Sequence, residues 1–373
     1  MSFSLGKELK IEVEGASHSE KITVRIEGLP KGRIINMDEV YKLLERRSGG
    51  RASYTTARKE KDTPILVSGL TGKSSAGECG NDYEYVTTGD VLEAYFVNSN
   101  VRRQDYGQQR EGFIPRPSHA DFAAYTKYKG NIDLSGGGFF SGRMTLPMCF
   151  AGAIAKQLLE EEGILIGAHI LSVKDIRDDA FNPVDEDMEF VSEYGLPLIN
   201  PEIEADMEKL MTDIAAEGDS IGGVIECKIT GLPIGLGDPI YDSVESSISY
   251  GMFGIPAVKG IEFGAGFGIT NLKGSEANDD FIIKDGQVKC ETNNSGGIQG
   301  GLTNGMPIVF RTAIKPTPSI YKEQKSVDLV TMEEKILKIE GRHDACIVPR
   351  AVPCVEAMAA LVIYNLLEEL IEE

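Results

Sequence analysis

Residues 21–33, "KITVRIEGLPKGR", alternate apolar and polar positions and then meet Gly28, Pro30 and Gly32, the pattern of a half-buried strand running into a turn. The same grammar returns in "GGVIECKITGLPIGLGDP", so that G-L-P-x-G follows a strand twice, at Gly28 to Gly32 and at Gly231 to Gly235. A repeated strand-turn string predicts an internal duplication. Helical spacing governs "MDEVYKLLERR" (37–47), with apolar Val40, Leu43 and Leu44, an acidic first turn and a stop at Gly49-Gly50. "LPMCFAGAIAKQLLEEEG" and "PEIEADMEKLMTDIAAEG" each end at a glycine, and Pro201 opens the second. The tail from about Pro353 to Glu372 reads as a strongly apolar helix. Strands such as "MPIVFRTAI" lie between these helices without a βαβ rhythm, which predicts an α+β fold. No Pro/Ser-rich linker or charge block divides residues 1–373, so one domain is expected, with residues 74–85 as a surface insertion.

Composition narrows the function. Apolar residues at 41% and charged residues at 26% are those of a globular protein. No N-terminal apolar segment with a cleavage site is present, and the apolar stretch "MAALVIYNLL" is shorter than a bilayer span. A cytoplasmic protein is expected, its six cysteines reduced and without zinc-type spacing, and no metal is called for. A net charge of -20 argues against nucleic acid or an anionic membrane as partner. It also means that an anionic ligand needs a local concentration of Arg and Lys. Two nucleotide motifs fail on inspection. "VSGLTGKSS" has Val67 where a P-loop needs glycine, and "FGAGFG" lacks the GxGxxG spacing and a following helix.

The four histidines are more informative. His18 in "GASHSE", His119 in "RPSHAD" and His343 in "GRHDAC" sit in short polar segments, whereas His169 in "GAHILSV" reads as core. Arginines gather near the same segments: Arg46, Arg47, Arg51 and Arg58, then Arg116, Arg143, Arg342 and Arg350. Their forked guanidinium suits phosphate and carboxylate, although any one of them can equally face solvent paired to an acid. "SGGIQGGLTNG" offers close backbone approach to a ligand, and "KPTPSI" places Lys315 and two hydroxyls on a stiff turn.

Taken in order along the chain, these strings resemble the chorismate synthase family from residue 15 to about 365. "GASHS" resembles that family's GESHG, "RPSHADFAAYTKY" its RPGHADYTYxxKY, and "GGGFFSGRMT" its GGGRSSARET. "GDSIGGVIE", "GLGDPIYD", "AVKGIEFGAGF", "SGGIQGGLTNGMPIVFRTAIKPTPSI" and "GRHDACIVPRAVPCVEAMAALV" also look like family stretches. The resemblance implies conversion of 5-enolpyruvylshikimate 3-phosphate to chorismate and phosphate by a 1,4-anti elimination that needs reduced FMN. It further implies a β-α-β sandwich fold, a homotetramer, and an external flavin reductase as the source of reduced FMN.

By the same resemblance His18, with Ser17 beside it, is the acid for the departing phosphate, and His119 stands next to the reduced flavin. Asp344 handles the proton at the flavin N5, and His343 fixes the turn between it and Arg342. Flavin contacts are expected at Phe139, Phe140, Ser141, Pro256, Ala257, Gly300, Lys315, Pro316, Thr317, Pro318, Ser319 and Arg342. Arg46, Arg47, Arg51, Arg116, Arg143 and Arg350 are expected on the substrate side. Several positions depart from the family pattern: Ala16 and Ser19 flanking the first histidine segment, Ser118 for a glycine, Pro256 for an asparagine, and Phe139-Phe140 for Arg-Ser. "RRSGGRASYTT" is one residue longer than its counterpart, so the second basic residue is either absent at Ser53 or displaced to Arg51. The rival reading is a non-catalytic flavin- or phosphoester-binding paralogue, against which the retained histidines and Asp344 count. A redox enzyme with its own NAD(P)H flavin reductase has no extra domain to house that activity.

Overall fold

A computed structural model of the protein describes residues 2–49, 54–55, 62–72, 84–98, 112–133, 135–192, 195–339, 341 and 343–372. Arg51, Arg58, Arg342 and most of the expected 74–85 insertion lie outside the described residues. The first half contains strands β1 (Ser2–Leu5), β2 (Lys10–Glu14) and β3 (Lys21–Glu27), helix α1 (Met37–Arg47), β4 (Ile65–Ser68), β5 (Leu92–Val97), the short helix α2 (Asp121–Lys127) and the long helix α3 (Thr145–Glu161). The second half contains β6 (Leu165–Val173), β7 (Ile176–Arg177), α4 (Glu204–Ala216), β8 (Gly223–Thr230), α5 (Val244–Phe253), β9 (Val258–Phe263), β10 (Ile308–Ile314) and α6 (Val348–Glu372).

Two five-stranded antiparallel sheets result, ordered β1-β2-β3-β5-β4 and β7-β6-β8-β10-β9. The halves repeat one path: β2-β3-α1-β4-β5-α3 and then β6-β8-α5-β9-β10-α6, with the same neighbours in each sheet. The G-L-P-x-G strings follow the central strand of each sheet. Their glycines take left-handed backbone, with φ of 94° and 86° at Gly28 and Gly32 and of 80° and 92° at Gly231 and Gly235. A side chain at Gly28 or Gly231 would also strike a neighbouring carbonyl, of Glu8 or Gly163, so both turns need glycine.

Helices fill the space between the sheets. α3 packs on β2, β3 and β6, α6 packs on β6 and β8, and the two helices cross each other. At the crossing Gly152 lies against the main chain of Ala357, where any Cβ would collide. β3 shows why the strands face as they do: Ile22, Val24 and Ile26 are fully buried toward the helices, while Arg25 points outward and pairs with Glu93 at 2.8 Å. Asn36 caps α1 by accepting from the Asp38 N–H at 2.9 Å, and the helix ends at Ser48, just before the two glycines.

The last helix begins at Val348, ahead of the expected Pro353, and tolerates that proline inside its second turn. Its stretch Val348–Leu370 is apolar and long enough to cross a membrane by composition, but 89% of the window is buried as the central core helix.

The second sheet is buried on its outer face as well, and there His169 departs from the apolar core expected of it. Its Nδ1 lies 3.0 Å from Asp178 and its Nε2 3.2 Å from Glu226, all three side chains being fully buried. Burial disfavours the imidazolium, yet the two carboxylates outweigh it and raise the His169 pKa above its ordinary 6.5. The sign follows from linkage: the stabilisation is complete below pH 6.5 and is lost as pH rises through the raised value in the folded protein. Denaturant titrations from pH 6 to 10 are expected to show stability declining across that interval. The decline should be shallower in His169→Gln, and an unchanged slope would remove His169 from the account.

Candidate active site

A cavity of about 570 Å³ opens where the ends of both halves meet, within the size range of small-molecule sites. His18 arrives on the turn between β2 and β3, Arg47 on the last residue of α1, and Arg116 and His119 on the entry to α2. Arg143 arrives on the entry to α3, Lys315 and Thr317 to Ser319 after β10, and Asp344 and Arg350 at the start of α6. Six cations line it among the described residues, namely Arg47, Arg116, Arg143, Lys259, Lys315 and Arg350. This is the local positive field that the net acidity of the chain made necessary.

Carboxylates hold the four arginines in place. Asp62 receives Arg47 Nη1 at 2.9 Å on one oxygen and Arg143 Nη1 on the other. Arg47 Nε also donates to Thr145 Oγ1 at 2.9 Å, and Arg143 Nε to Asn98 Oδ1 at 3.1 Å. Arg350 donates through Nη1 to Asp344 Oδ2 at 2.7 Å and through Nε to the Arg47 carbonyl at 3.0 Å. Arg116 grips both oxygens of Asp121, at 2.7 and 2.8 Å, and Asp121 Oδ1 also lies 2.7 Å from His119 Nδ1. Burial opposes the Asp121 charge, but the bonds from Arg116 and His119 prevail and hold its carboxyl well below the usual range. An ionised Asp121 accepts the Nδ1 proton of His119, which fixes the ring and turns Nε2 toward Gly137.

The three glycines 136–138 set both histidines. All have positive φ, of 59°, 95° and 53°, and the carbonyl of Gly138 accepts from the Ser17 N–H at 3.2 Å. A Cβ on Gly136 would enter the His18 ring, and one on Gly137 would stand 3.4 Å from His119 Nε2. Ser17 is fully buried, with Oγ 2.9 Å from His18 Nδ1. Gly136→Ala is therefore expected to displace His18 and to lower kcat by about 10- to 10²-fold. Gly163→Ala shares the left-handed backbone, with φ of 79°, but meets open space away from the cavity and serves as the control, and equal rates in the two variants would show that Gly136 does not set the histidine.

Of the residues expected at the flavin, Phe140, Ser141, Pro256, Ala257, Lys315, Thr317, Pro318 and Ser319 line the cavity. Phe139 turns the other way, its ring edge-on to Phe3 of β1 at 5.7 Å. Pro316 and Gly300 are not among the lining residues, and Gly300 occupies the tip of the short hairpin formed by Ile298–Gln299 and Leu302–Thr303. Arg46 is held outside the cavity wall by both oxygens of the buried Glu356, at 2.9 and 2.7 Å. Ser118 sits in left-handed backbone with φ of 59°, and its carbonyl and hydroxyl accept from Lys315 Nζ at 2.6 and 3.0 Å. Burial first, and the charge of Lys259 second, lower the Lys315 pKa. His343 lines the same cavity, and burial together with the charge of Arg116 lowers its pKa despite Asp344.

Sequence reasoning singled out neither Asp62 nor Asp121. The latter stands two residues after His119, a spacing that permits a ring-to-carboxylate bond. Asp62 belongs to no motif, and only the fold brings it to Arg143, 81 residues away.

The chorismate synthase family model matches residues 9–367. Among curated relatives, the chorismate synthase of Lancefieldella parvula is 40% identical over 380 aligned residues, covering 98% of this chain and 96% of the relative. That of Thermococcus kodakarensis is 43% identical over 360, covering 96% of each. A crystal structure of chorismate synthase superposes with a TM-score of 0.70 at 25% identity, covering 98% of this chain and 93% of that one. Whole-chain similarity of this extent, on a cavity that gathers the family's histidine, arginine and Gly-rich segments, is decisive: the chain belongs to the chorismate synthase family.

Proposed function

We propose that the cavity converts 5-enolpyruvylshikimate 3-phosphate to chorismate and phosphate by a 1,4-anti elimination, a carbon-oxygen lyase reaction that uses reduced FMN. The observation that carries this reading is the convergence of His18, His119, Asp344 and four arginines on one cavity in a chain of this family. The substrate bears a phosphate and two carboxylates, and Arg47, Arg116, Arg143 and Arg350 supply matching forks.

The remaining wall fits FMN. Lys315 offers a cation for a phosphate, Phe140 and Pro256 offer apolar surface, and Thr317 Oγ1 is buried without a hydrogen-bond partner among the described residues. A bound ligand satisfies such an atom, which otherwise costs roughly 1–3 kcal/mol. Lys315, Thr317, Ser319, Pro256, Ala257 and Phe140 would hold the group. Reduced FMN, when bound, supplies the electron chemistry that allows an allylic carbon-oxygen bond to break with no net redox change.

The protein's own residues supply protons and charge. His18, braced by Ser17 Oγ at Nδ1, holds a proton at Nε2 for the departing phosphate. His119, braced by Asp121, stands at the cavity wall, where a proton offered to an anionic neighbour stabilises its charge. Asp344, anchored to Arg350 through Oδ2, takes up a proton on its carboxylate. In this reading a separate NAD(P)H-dependent flavin reductase delivers the reduced cofactor in the cytoplasm. The exposed Ile240, Tyr241, Tyr250, Phe267, Phe281 and Ile283 become the contacts of a homotetramer.

An anaerobic assay with photoreduced FMN and 5-enolpyruvylshikimate 3-phosphate tests the reaction. Chorismate formation is expected, and its absence from a protein that binds both ligands would sink the proposal. The two phenylalanines test the cofactor wall. Phe140→Ala is expected to weaken FMN binding by about 0.5–1.5 kcal/mol of aromatic contact, or roughly 2- to 10-fold. Phe139→Ala, which removes a contact to β1, is expected to cost stability and leave FMN affinity unchanged. Calorimetric titration of both variants decides between the rings, and the reverse result would place Phe139 at the flavin.

A further inference from the structure

Two cysteines meet at the floor of the cavity. Cys149, one turn into α3, and Cys354, in the second turn of α6, bring their sulfur atoms to 3.7 Å. Cys354 lines the cavity, whereas Cys149 is fully buried behind it. Arg47 and Arg350 line the same stretch of wall, and Cys354 Sγ lies 3.5 Å from the Arg350 carbonyl. None of the roles assigned above uses either thiol.

We propose that Cys149 and Cys354 form a peroxide-reactive dithiol, with Cys354 as the nucleophile facing the cavity and Cys149 as the resolving thiol behind it. The position of the two sulfurs divides the labour, because only Cys354 is reached from the cavity. Electrostatics supports the same division. The hydrogen bond from Cys149 leads the causes that lower the Cys354 thiol below its ordinary value, against burial and with help from Arg47, Thr145 and Arg350. Burial drives Cys149 the other way, well above its ordinary value, so that it keeps its proton. Burial likewise raises Cys227, Cys290 and Cys346, which leaves Cys354 as the one thiol lowered among the described cysteines.

The chemistry balances with hydrogen peroxide as oxidant. The Cys354 thiolate attacks one peroxide oxygen, the O–O bond breaks, and the leaving hydroxide takes a proton to become water, so Cys354 becomes a sulfenic acid. The Cys149 sulfur then attacks the Cys354 sulfur, the S–O bond breaks, and a second water leaves with the Cys149 proton. Two thiols lose two electrons in all, and peroxide is reduced to two waters. The disulfide closes the 3.7 Å gap to about 2.05 Å and ties the two central helices covalently together beside Arg47 and Arg350. Dihydroflavin exposed to dioxygen yields peroxide, so a supply of oxidant next to Cys354 rests on the reduced-flavin reading above. The thiol chemistry does not, and the experiment therefore adds hydrogen peroxide to flavin-free protein.

Reduced wild-type protein is treated anaerobically with equimolar hydrogen peroxide, alkylated, digested and mapped by mass spectrometry. The expected product is a Cys149–Cys354 cross-linked peptide that dithiothreitol reverses. In Cys149→Ser the intermediate persists and dimedone labels Cys354, and in Cys354→Ser Cys149 remains a free thiol. Recovery of both cysteines as free thiols from the wild type, under an exposure that oxidises any other cysteine, overturns the proposal. Oxidation of Cys149 in Cys354→Ser overturns the assignment of roles. The wild-type map needs no variant, so a folding defect in either substitution leaves the proposal exposed to refutation.

Discussion

His119→Ala is expected to lower anaerobic turnover at saturating reduced FMN by about 10²- to 10⁴-fold, the usual contribution of a positioned acid-base group. The geometry gives the reason. Asp121 is bound by both Arg116 and His119, so the imidazole cannot rotate, and a proton that it carries stays available at the cavity wall. Asp121→Asn keeps the shape, removes the carboxylate that braces the ring, and disturbs the grip on Arg116. Its rate is expected to fall between wild type and His119→Ala. Circular dichroism and FMN titration on the same samples separate lost chemistry from lost folding or lost binding. Turnover within about twofold of wild type in His119→Ala takes the residue out of the mechanism.

What could be read in the sequence was whatever depends on neighbours in the chain. The G-L-P-x-G turns were legible because a strand that ends in left-handed backbone demands glycine whatever lies around it, and their repetition foretold the repeated path of the two halves. His18 and His119 were legible because polar segments rich in Gly, Pro and Arg do not belong in a core. Phe139 and Phe140 show where that reasoning stops: adjacent side chains on a tight turn face different ways, one to Phe3 and one to the cavity, and only the fold says which. His169 shows a second limit. Its segment is apolar, but β8 brings Glu226 beside it and a loop adds Asp178, so a histidine that reads as core is the centre of an ionic cluster. The pairing of Cys149 with Cys354, 205 residues apart, and of Asp62 with Arg143 has no local signature at all.

Asp62→Asn is expected to destabilise the ligand-free protein by about 3–5 kcal/mol, the usual cost of removing one partner from a buried ion pair. The pairing is buried and not superficial, since the side chains of Arg47, Asp62 and Arg143 are 4%, 7% and 8% exposed. Surface ion pairs of the same length contribute no more than about 1 kcal/mol. The amide keeps the shape of the carboxylate but removes the negative charge that Arg47 and Arg143 share at the cavity wall. An anionic ligand restores the missing charge. Saturating 5-enolpyruvylshikimate 3-phosphate should therefore raise the melting temperature of Asp62→Asn more than that of the wild type, because the ligand meets Arg47 and Arg143 without the Asp62 charge in one and with it in the other. Melting curves with and without substrate check both halves of the expectation. A ligand-free variant as stable as the parent would show that solvent already compensates the arginines. A smaller substrate shift in the variant would show that Arg47 and Arg143 need Asp62 to point at the ligand, and that the carboxylate acts by aiming them and not by balancing their charge.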